Sequence, residues 1–420
     1  MPKRSRKPEI MAPAGDFPCL DAAIRAGADA VYFGLDGMNM RAGARNFTPS
    51  GMRRLGRICA EAGVRSYLAL NTIYYEGEYP ALLRAARSAK SAGIDAAIAW
   101  DPAAVEAARA AGLEVFLSTQ ASASNSRAIA FHYRHSGIRR FVLARECGIS
   151  DIKKIRAALP RLLGAEAARE IRLEVFAHGA MCVSISGRCF MSLFGCAKSA
   201  NRGECSQPCR REYFVHDGTG AEGMLVGRGH VMSPRDLCTM PFLELLLEAG
   251  ADSLKIEGRN RNPEYVFETV GAYRKAVDFY FERKGSPGFG REFESLKSEM
   301  LKRLESVFNR GFSPGFYLGE PSGDWTSPGN MASRKKAILG RVRNYYPKIS
   351  VAHISVENAG FAPGDEIQLE GPSTGFMRFS PGEILLDGRP VARAKKGDEV
   401  SVKVPGKVRK NDLLYVFRES

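Results

Sequence analysis

One short pattern recurs along this chain and restricts its fold more than any other feature: a helix of small residues, then glycine, then an apolar strand. It occurs in AIRAGADAVYFGL, CAEAGVRSYLALN, AKSAGIDAAIAWD, ARAAGLEVFLSTQ, YRHSGIRRFVLAR and LLEAGADSLKIEG. Gly27, Gly63, Gly93, Gly112, Gly137 and Gly250 each stand where a helix closes on a left-handed residue, a conformation glycine adopts without steric cost. Strand-like runs cover residues 9–15, 30–35, 65–71, 96–101, 114–120, 140–146, 172–179 and 252–258. Strands alternating with helices predict a parallel sheet, and eight of them predict a (β/α)8, TIM-like barrel. An open doubly wound sheet is the alternative. It is disfavoured because APAGDF, after the first strand, carries one glycine and not the three of a dinucleotide fingerprint.

In such a barrel the chemistry sits at the C-terminal ends of the strands. Those ends carry Asn71, Asp101, Gln120, Arg145, Glu146, His178, Lys255, Glu257 and Arg259. Lys255, Glu257 and Arg259 alternate along LKIEGR, which puts all three on one side of the last strand. Arg145, Glu146, His178, Lys255, Glu257 and Arg259 are the catalytic candidates. Arg41 and Arg45, in NMRAGARNF after the second strand, join Asn71 and Gln120 as candidates for substrate binding. The formal charge of +15 favours anionic partners such as RNA, phosphates or acidic metabolites. No stretch approaches the roughly 18 apolar residues of a membrane span, so the chain reads as soluble.

Nine cysteines without an export signal imply a reducing compartment, where clustered thiols hold metal or do redox chemistry more often than they form disulfides. Four of them, Cys182, Cys189, Cys205 and Cys209, fall in an insertion over 180–236, between the seventh and eighth strands, which must hang over the barrel mouth. The spacing is C-x6-C, fifteen residues, then C-x3-C. Structural zinc uses tighter pairs, so the spacing favours an iron–sulfur cluster, with zinc and unliganded thiols as alternatives. Arg188, Arg210 and Arg211 would offset thiolate charge, and Gly187 and Gly203 let backbone N–H groups approach sulfur. Cys238, read at the start of a helix DLCTMPFLELLLEAG, competes with Cys209 for the fourth position. Cys196 reads as free, and Cys19, Cys59 and Cys147 as core.

The domain reading is a basic tail over 1–8, the barrel with its insertion over 9–283, a helical extension and linker over 284–333, and a small all-β barrel over 334–420. Asn262 and Pro263 open a long helix after the last barrel strand. The strands of the last domain are read in KISVAHISV, DEIQLEG, EILLDG, EVSVKV and DLLYVF. Residues 333–420 carry 16 Lys and Arg against 10 Asp and Glu, a surface able to hold an RNA backbone or merely a solvated one.

LEVFAHGAMCVSISGRCFMS resembles the signature segment of the family labelled peptidase U32, and GECSQPCRREY, SPRDLC and SLKIEGRNRNPEYV continue the match in order. The opening EIMAPAGDFPCLDAAIRAGADAVYFGL and the segment STQASASN are also similar to that family. The resemblance spans about residues 8–330. It implies a 4Fe–4S cluster on Cys182, Cys189, Cys205 and Cys209. It also implies oxygen-independent hydroxylation, first of tRNA at the wobble position to 5-hydroxyuridine with prephenate as hydroxyl donor. A ribosomal RNA or quinone-precursor hydroxylase and a collagenase-like peptidase are the alternatives, and a non-catalytic RNA-binding module is a third class. The sequence holds no HExxH or G-x-S-x-G motif to support hydrolysis. Two carboxylates on prephenate would meet Arg145, Lys255 and Arg259. A cytoplasmic protein acting on tRNA and a small anionic metabolite, as a homo- or hetero-dimer or alone, is the resulting expectation.

Overall fold

The structure, a computed structural model, describes residues 7–43, 45–216, 223–225, 232–320, 325–326 and 329–419. Most of the basic tail expected over 1–8 and parts of the insertion and linker lie outside them. Eight parallel strands form the barrel: β1 (Glu9–Pro13), β2 (Ala30–Gly34), β3 (Arg65–Leu70), β4 (Ala96–Ala99), β5 (Glu114–Leu117), β6 (Arg140–Val142), β7 (Arg172–Gly179) and β8 (Ser253–Ile256). Each pairs with the next, and β8 pairs with both β7 and β1, so the ring closes without an edge. The closed ring excludes the open sheet.

The six junction glycines all take positive φ, from 62° at Gly137 to 89° at Gly250. The helices also begin as their sequences dictate. Asp16 caps Phe17–Arg25, Thr48 caps Pro49–Glu61, Asn125 caps Ser126–Ser136 and Asn262 caps Pro263–Arg283, each side chain accepting a backbone N–H of the first turn. Asp101 belongs to this set. It accepts from Ala103 N at 2.9 Å and Tyr74 N at 3.1 Å, which makes it a helix cap and not a reactive rim group. Except for β7, the strands are shorter at their C-terminal ends than the apolar runs suggested. Gln120 and Arg145 therefore sit in loops over the mouth and not on the ladder.

Inside the ring, Met11, Tyr32, Tyr67, Ile98 and Phe116 form an apolar layer. Threaded past it is a chain of buried charges. Arg140 bridges Glu9 and Glu174, with Nε 2.8 Å from Glu174 Oε2, and Lys255 Nζ reaches Glu174 Oε1 at 3.0 Å. Tyr67 and Phe116 cover the Arg140 guanidinium at 5.1 and 4.5 Å. Burial alone would raise the Glu9 carboxyl, but Arg140 and Arg65 hold it below the usual range. The larger core lies outside the ring, between strands and helices.

Cys238 does not open a helix. It lies in a short strand, Asp236–Cys238, that runs antiparallel to the extended end of β7, and the helix starts only at Leu243. Pro241 lacks the N–H that an uninterrupted helix would need. Cys238 is buried beside the Tyr273 hydroxyl at 3.9 Å, and its pKa is pushed up to about 12 by burial, so it is a core thiol.

The C-terminal part is one antiparallel sheet of eight strands around its own apolar core. Its centre is a strand missed in the sequence reading, Arg334–Tyr346. This strand pairs on both sides, with Leu413–Glu419 and Val351–Val356, and register shifts interrupt both ladders. Those shifts break the alternation on which a strand assignment depends. Phe376 of this sheet joins the barrel's outer core, and Asp21 accepts its N–H at 2.9 Å. Among the described residues no helix is long and apolar enough to cross a membrane.

Candidate active site at the barrel mouth

Seven of the predicted rim residues line one small chamber of about 60 Å³: Arg41, Asn71, Gln120, Arg145, Lys255, Glu257 and Arg259. Their charges are not evenly paired. Lys255 is neutralised by Glu174 and sits 4.4 Å from the Tyr32 ring; its pKa is lowered by burial. Arg41 Nη2 lies 3.3 Å from Glu257 Oε1, and although burial would raise the Glu257 carboxyl, Arg41, Arg145 and Arg261 keep it low. Arg145 stacks on Phe176 at 4.2 Å and donates to the Ala180 carbonyl at 3.2 Å. Arg259 is 4% exposed, donates through Nη2 to Asn39 Oδ1, and has its pKa lowered to about 10 by burial. Its Nη1 is buried without a hydrogen-bond partner, pressed against Gly34, where any Cβ would overlap it. Among the described residues no carboxylate pairs with Arg145 or Arg259. Two guanidiniums therefore face one chamber in excess of its acids, and a buried donor without a partner costs about 1–3 kcal/mol unless an acceptor arrives.

The insertion builds a second chamber, of about 160 Å³, directly above. Cys182, Cys189, Cys205 and Cys209 all line it. Met40, Arg41, Gln120 and Arg145 line both chambers and form their common wall. Cys209's pKa is raised by burial, lowered by Arg210 and raised again by Cys182, Cys205 and Cys189, so the four sulfurs interact. Local hydrogen bonds hold them: Cys182 with the Ser184 hydroxyl at 3.0 Å, Cys189 accepting from Met191 N at 3.4 Å, and Cys205 with Ser192 at 3.8 Å. As they stand, no three His, Cys, Asp or Glu side chains among the described residues are gathered on one point. The donor set nevertheless fits a multi-iron cluster: four thiols line one chamber, with Cys196 not among the lining residues.

Several contacts hold the insertion in place. Arg210 donates to Met181 O and Ser233 Oγ, both at 2.8 Å, tying its two ends together. Arg202 reaches Glu78 and the Ile73 carbonyl, and Gln120 Nε2 reaches Ser186 O at 3.3 Å. Gly203, at φ 87°, packs against the backbone of Asn39 and Ala42, and Gly43 N donates to its carbonyl at 3.2 Å. We expect Gly203→Ala to cost about 1–3 kcal/mol through left-handed strain, with more from the overlap. Limited proteolysis should then cut faster within 180–213, while Gly195→Ala, which meets nothing within 4 Å, should leave cleavage unchanged.

Three predicted residues stay outside both chambers. His178 is 1% exposed and packed among Tyr265, Tyr273 and Phe312; burial lowers its pKa to about 3, so it stays neutral. The register shift between β7 and β8, which brings His178 opposite Ile256, and the pairing with Cys238 turn it away from the candidate catalytic position. Glu146 accepts from Ser186 N at 2.9 Å and anchors the cysteine loop. Arg45 is exposed and paired with Asp16 at 2.8 Å. Asn39, Met40 and Phe176 were not singled out from the sequence. For Phe176, the inward position two residues after Glu174 on the same strand was the available signal. At the other end of the barrel a cavity of about 510 Å³ is lined by charges that pair among themselves, including Arg65 with Glu9 and Arg139 with Glu170. Its size marks no site.

A closed (β/α)8 barrel, with a four-cysteine chamber stacked on a cationic chamber at the C-terminal face, places this chain among barrel enzymes whose chemistry is built from the βα loops. The profile of Peptidase family U32 matches residues 15–327, and the chain belongs to that family. It is 40% identical over 413 residues to a protein of Porphyromonas gingivalis named Collagenase, covering 97% of each chain. It is 34% identical over 378 residues to tRNA hydroxylation protein P1 of Bacillus subtilis, covering 88% of this chain and 84% of that one. Among solved structures, the tryptophan synthase alpha chain of Legionella pneumophila aligns at 14% identity and a TM-score of 0.34, over 73% of this chain and 94% of the other.

Proposed function

We propose that this protein is an iron–sulfur-dependent, oxygen-independent RNA hydroxylase that forms 5-hydroxyuridine at the wobble position of tRNA with prephenate as hydroxyl donor. The observation that carries this reading is the stacked pair of chambers, one lined by four thiols and the other holding two guanidiniums without carboxylate partners, with one wall in common. Relatives named for tRNA hydroxylation support it, as does a 31% identical Escherichia coli relative named 23S rRNA 5-hydroxycytidine C2501 synthase. Cys182, Cys189, Cys205 and Cys209 would hold a 4Fe–4S cluster, which supplies one-electron chemistry when bound.

The protein's own groups do the rest. Arg259 and Arg145 bind and orient the carboxylates of the small anion, Glu257 stays ionised and fixes Arg41, and the insertion covers the chamber from above. The peptidase reading rests on the family label and on the P. gingivalis relative's name. No described histidine lines either chamber, and the sequence carries neither an HExxH nor a G-x-S-x-G motif.

Nucleoside mass spectrometry of tRNA from a deletion strain with no other U32 protein tests the reading. Loss of 5-hydroxyuridine derivatives is expected, and unchanged levels would sink it. In the purified protein, Arg259→Ala should raise KM for prephenate about 10- to 100-fold, the value of one charge-assisted bond, with iron content unchanged.

A further inference from the structure

The cysteine insertion also carries the densest exposed apolar patch among the described residues. Of the large hydrophobic side chains left exposed among the described residues, five lie between residues 183 and 194: Val183, Ile185, Phe190, Leu193 and Phe194. Phe194 is 86% exposed and Phe190 59%, with ring centroids 6.1 Å apart and tilted by 52°. They stand on and beside the short helix Met191–Cys196, whose flanking Cys189 and Met191 line the cysteine chamber. Residues 183–202 hold three basic side chains, Arg188, Lys198 and Arg202, and no acidic one. Arg188 lies 5.7 Å over Trp100, and Arg202 lies 5.2 Å over Tyr75, which is itself 64% exposed. Arg202 is paired with Glu78, which leaves Arg188 and Lys198 as cations beside the exposed Phe190 and Phe194, on a segment with no acid of its own. Such rings and cations suit unstacked bases on an anionic backbone.

We infer that this patch is a stacking platform for single-stranded RNA, which Phe190 and Phe194 grip through their ring faces while Arg188 and Lys198 neutralise phosphates. The inference deepens the RNA reading above and rests on it. The platform places an unpaired nucleotide at the rim of the chambers, which favours a loop over a duplex as substrate.

The test is fluorescence anisotropy of a labelled oligouridylate on the intact protein, in a salt series. The paired substitution Phe190→Leu with Phe194→Leu keeps apolar bulk and removes the ring faces. It should weaken binding about tenfold or more at every salt concentration. Phe190→Trp with Phe194→Trp should retain wild-type affinity, and Arg188→Ala should flatten the salt slope by about 0.7. Both rings are exposed, so unchanged melting is the folding control.

A leucine pair that binds as tightly as wild type overturns the platform, and so does patch-dependent binding to anionic vesicles or self-association in place of RNA binding. Ring-dependent RNA binding by a protein that modifies no uridine upholds the platform and sinks the hydroxylase reading. Hydroxylation by the leucine pair with an unchanged KM for RNA does the reverse.

Discussion

Serine at any one of positions 182, 189, 205 or 209 is expected to abolish both iron retention and hydroxylation. Four thiolates share one chamber, and a hydroxyl there is a much poorer ligand for iron than sulfur. Anaerobically purified wild type should be brown and contain iron, and each of the four variants should fall to background in both iron content and product. Cys196→Ser and Cys238→Ser serve as contrasts, because Cys196 does not line the chamber and Cys238 is packed against Tyr273. Full iron in Cys209→Ser together with loss in Cys238→Ser would transfer the fourth position to Cys238. Colourless wild type with active serine variants would remove the cluster altogether.

The second large effect concerns stability and needs no cofactor. Glu174 is wholly buried and shared by Arg140 and Lys255, so Glu174→Ala strands the Lys255 ammonium without a carboxylate inside the ring. Breaking a buried ion pair from one side costs about 3–5 kcal/mol. In a barrel of this size that is a fall in Tm on the order of 10 °C. Calorimetry should show this fall, and adding Lys255→Met should recover part of it, because the stranded charge is then gone too. A change below about 1 kcal/mol in the single variant would mean that water reaches Lys255 and the network is not dry.

The barrel was legible because its evidence is local and repeated. Each of the six helix–glycine–strand junctions states its own chirality, and all six glycines take the expected φ. The rim was legible as a set of positions but not as roles. Whether Asp101 caps a helix or Glu146 holds a loop is decided by which N–H stands nearby, and periodicity does not report that. His178 was misplaced because the register between β7 and β8 shifts just where His178 pairs with Ile256, and Cys238 pairs with it from the other side, neither of which strand alternation reports. The buried network had a visible but unused signal: Glu174 stands between Leu173 and Val175, and Arg140 directly precedes the apolar run FVLA, where an unpaired charge would be untenable. The close approach of the cysteine loop to residues 39–43 left only Gly203 as a mark, among 43 glycines.

That approach has a thermodynamic consequence. The segment touching Gly203 also carries Asn39, whose amide oxygen aims Arg259, and Arg41, which belongs to both chambers. Whatever stiffens the upper compartment thus stiffens the grip of the lower one. Under the proposed function, linkage would then make a filled lower compartment favour metallation by the same factor, each ligand acting as an effector of the other across a single backbone seam.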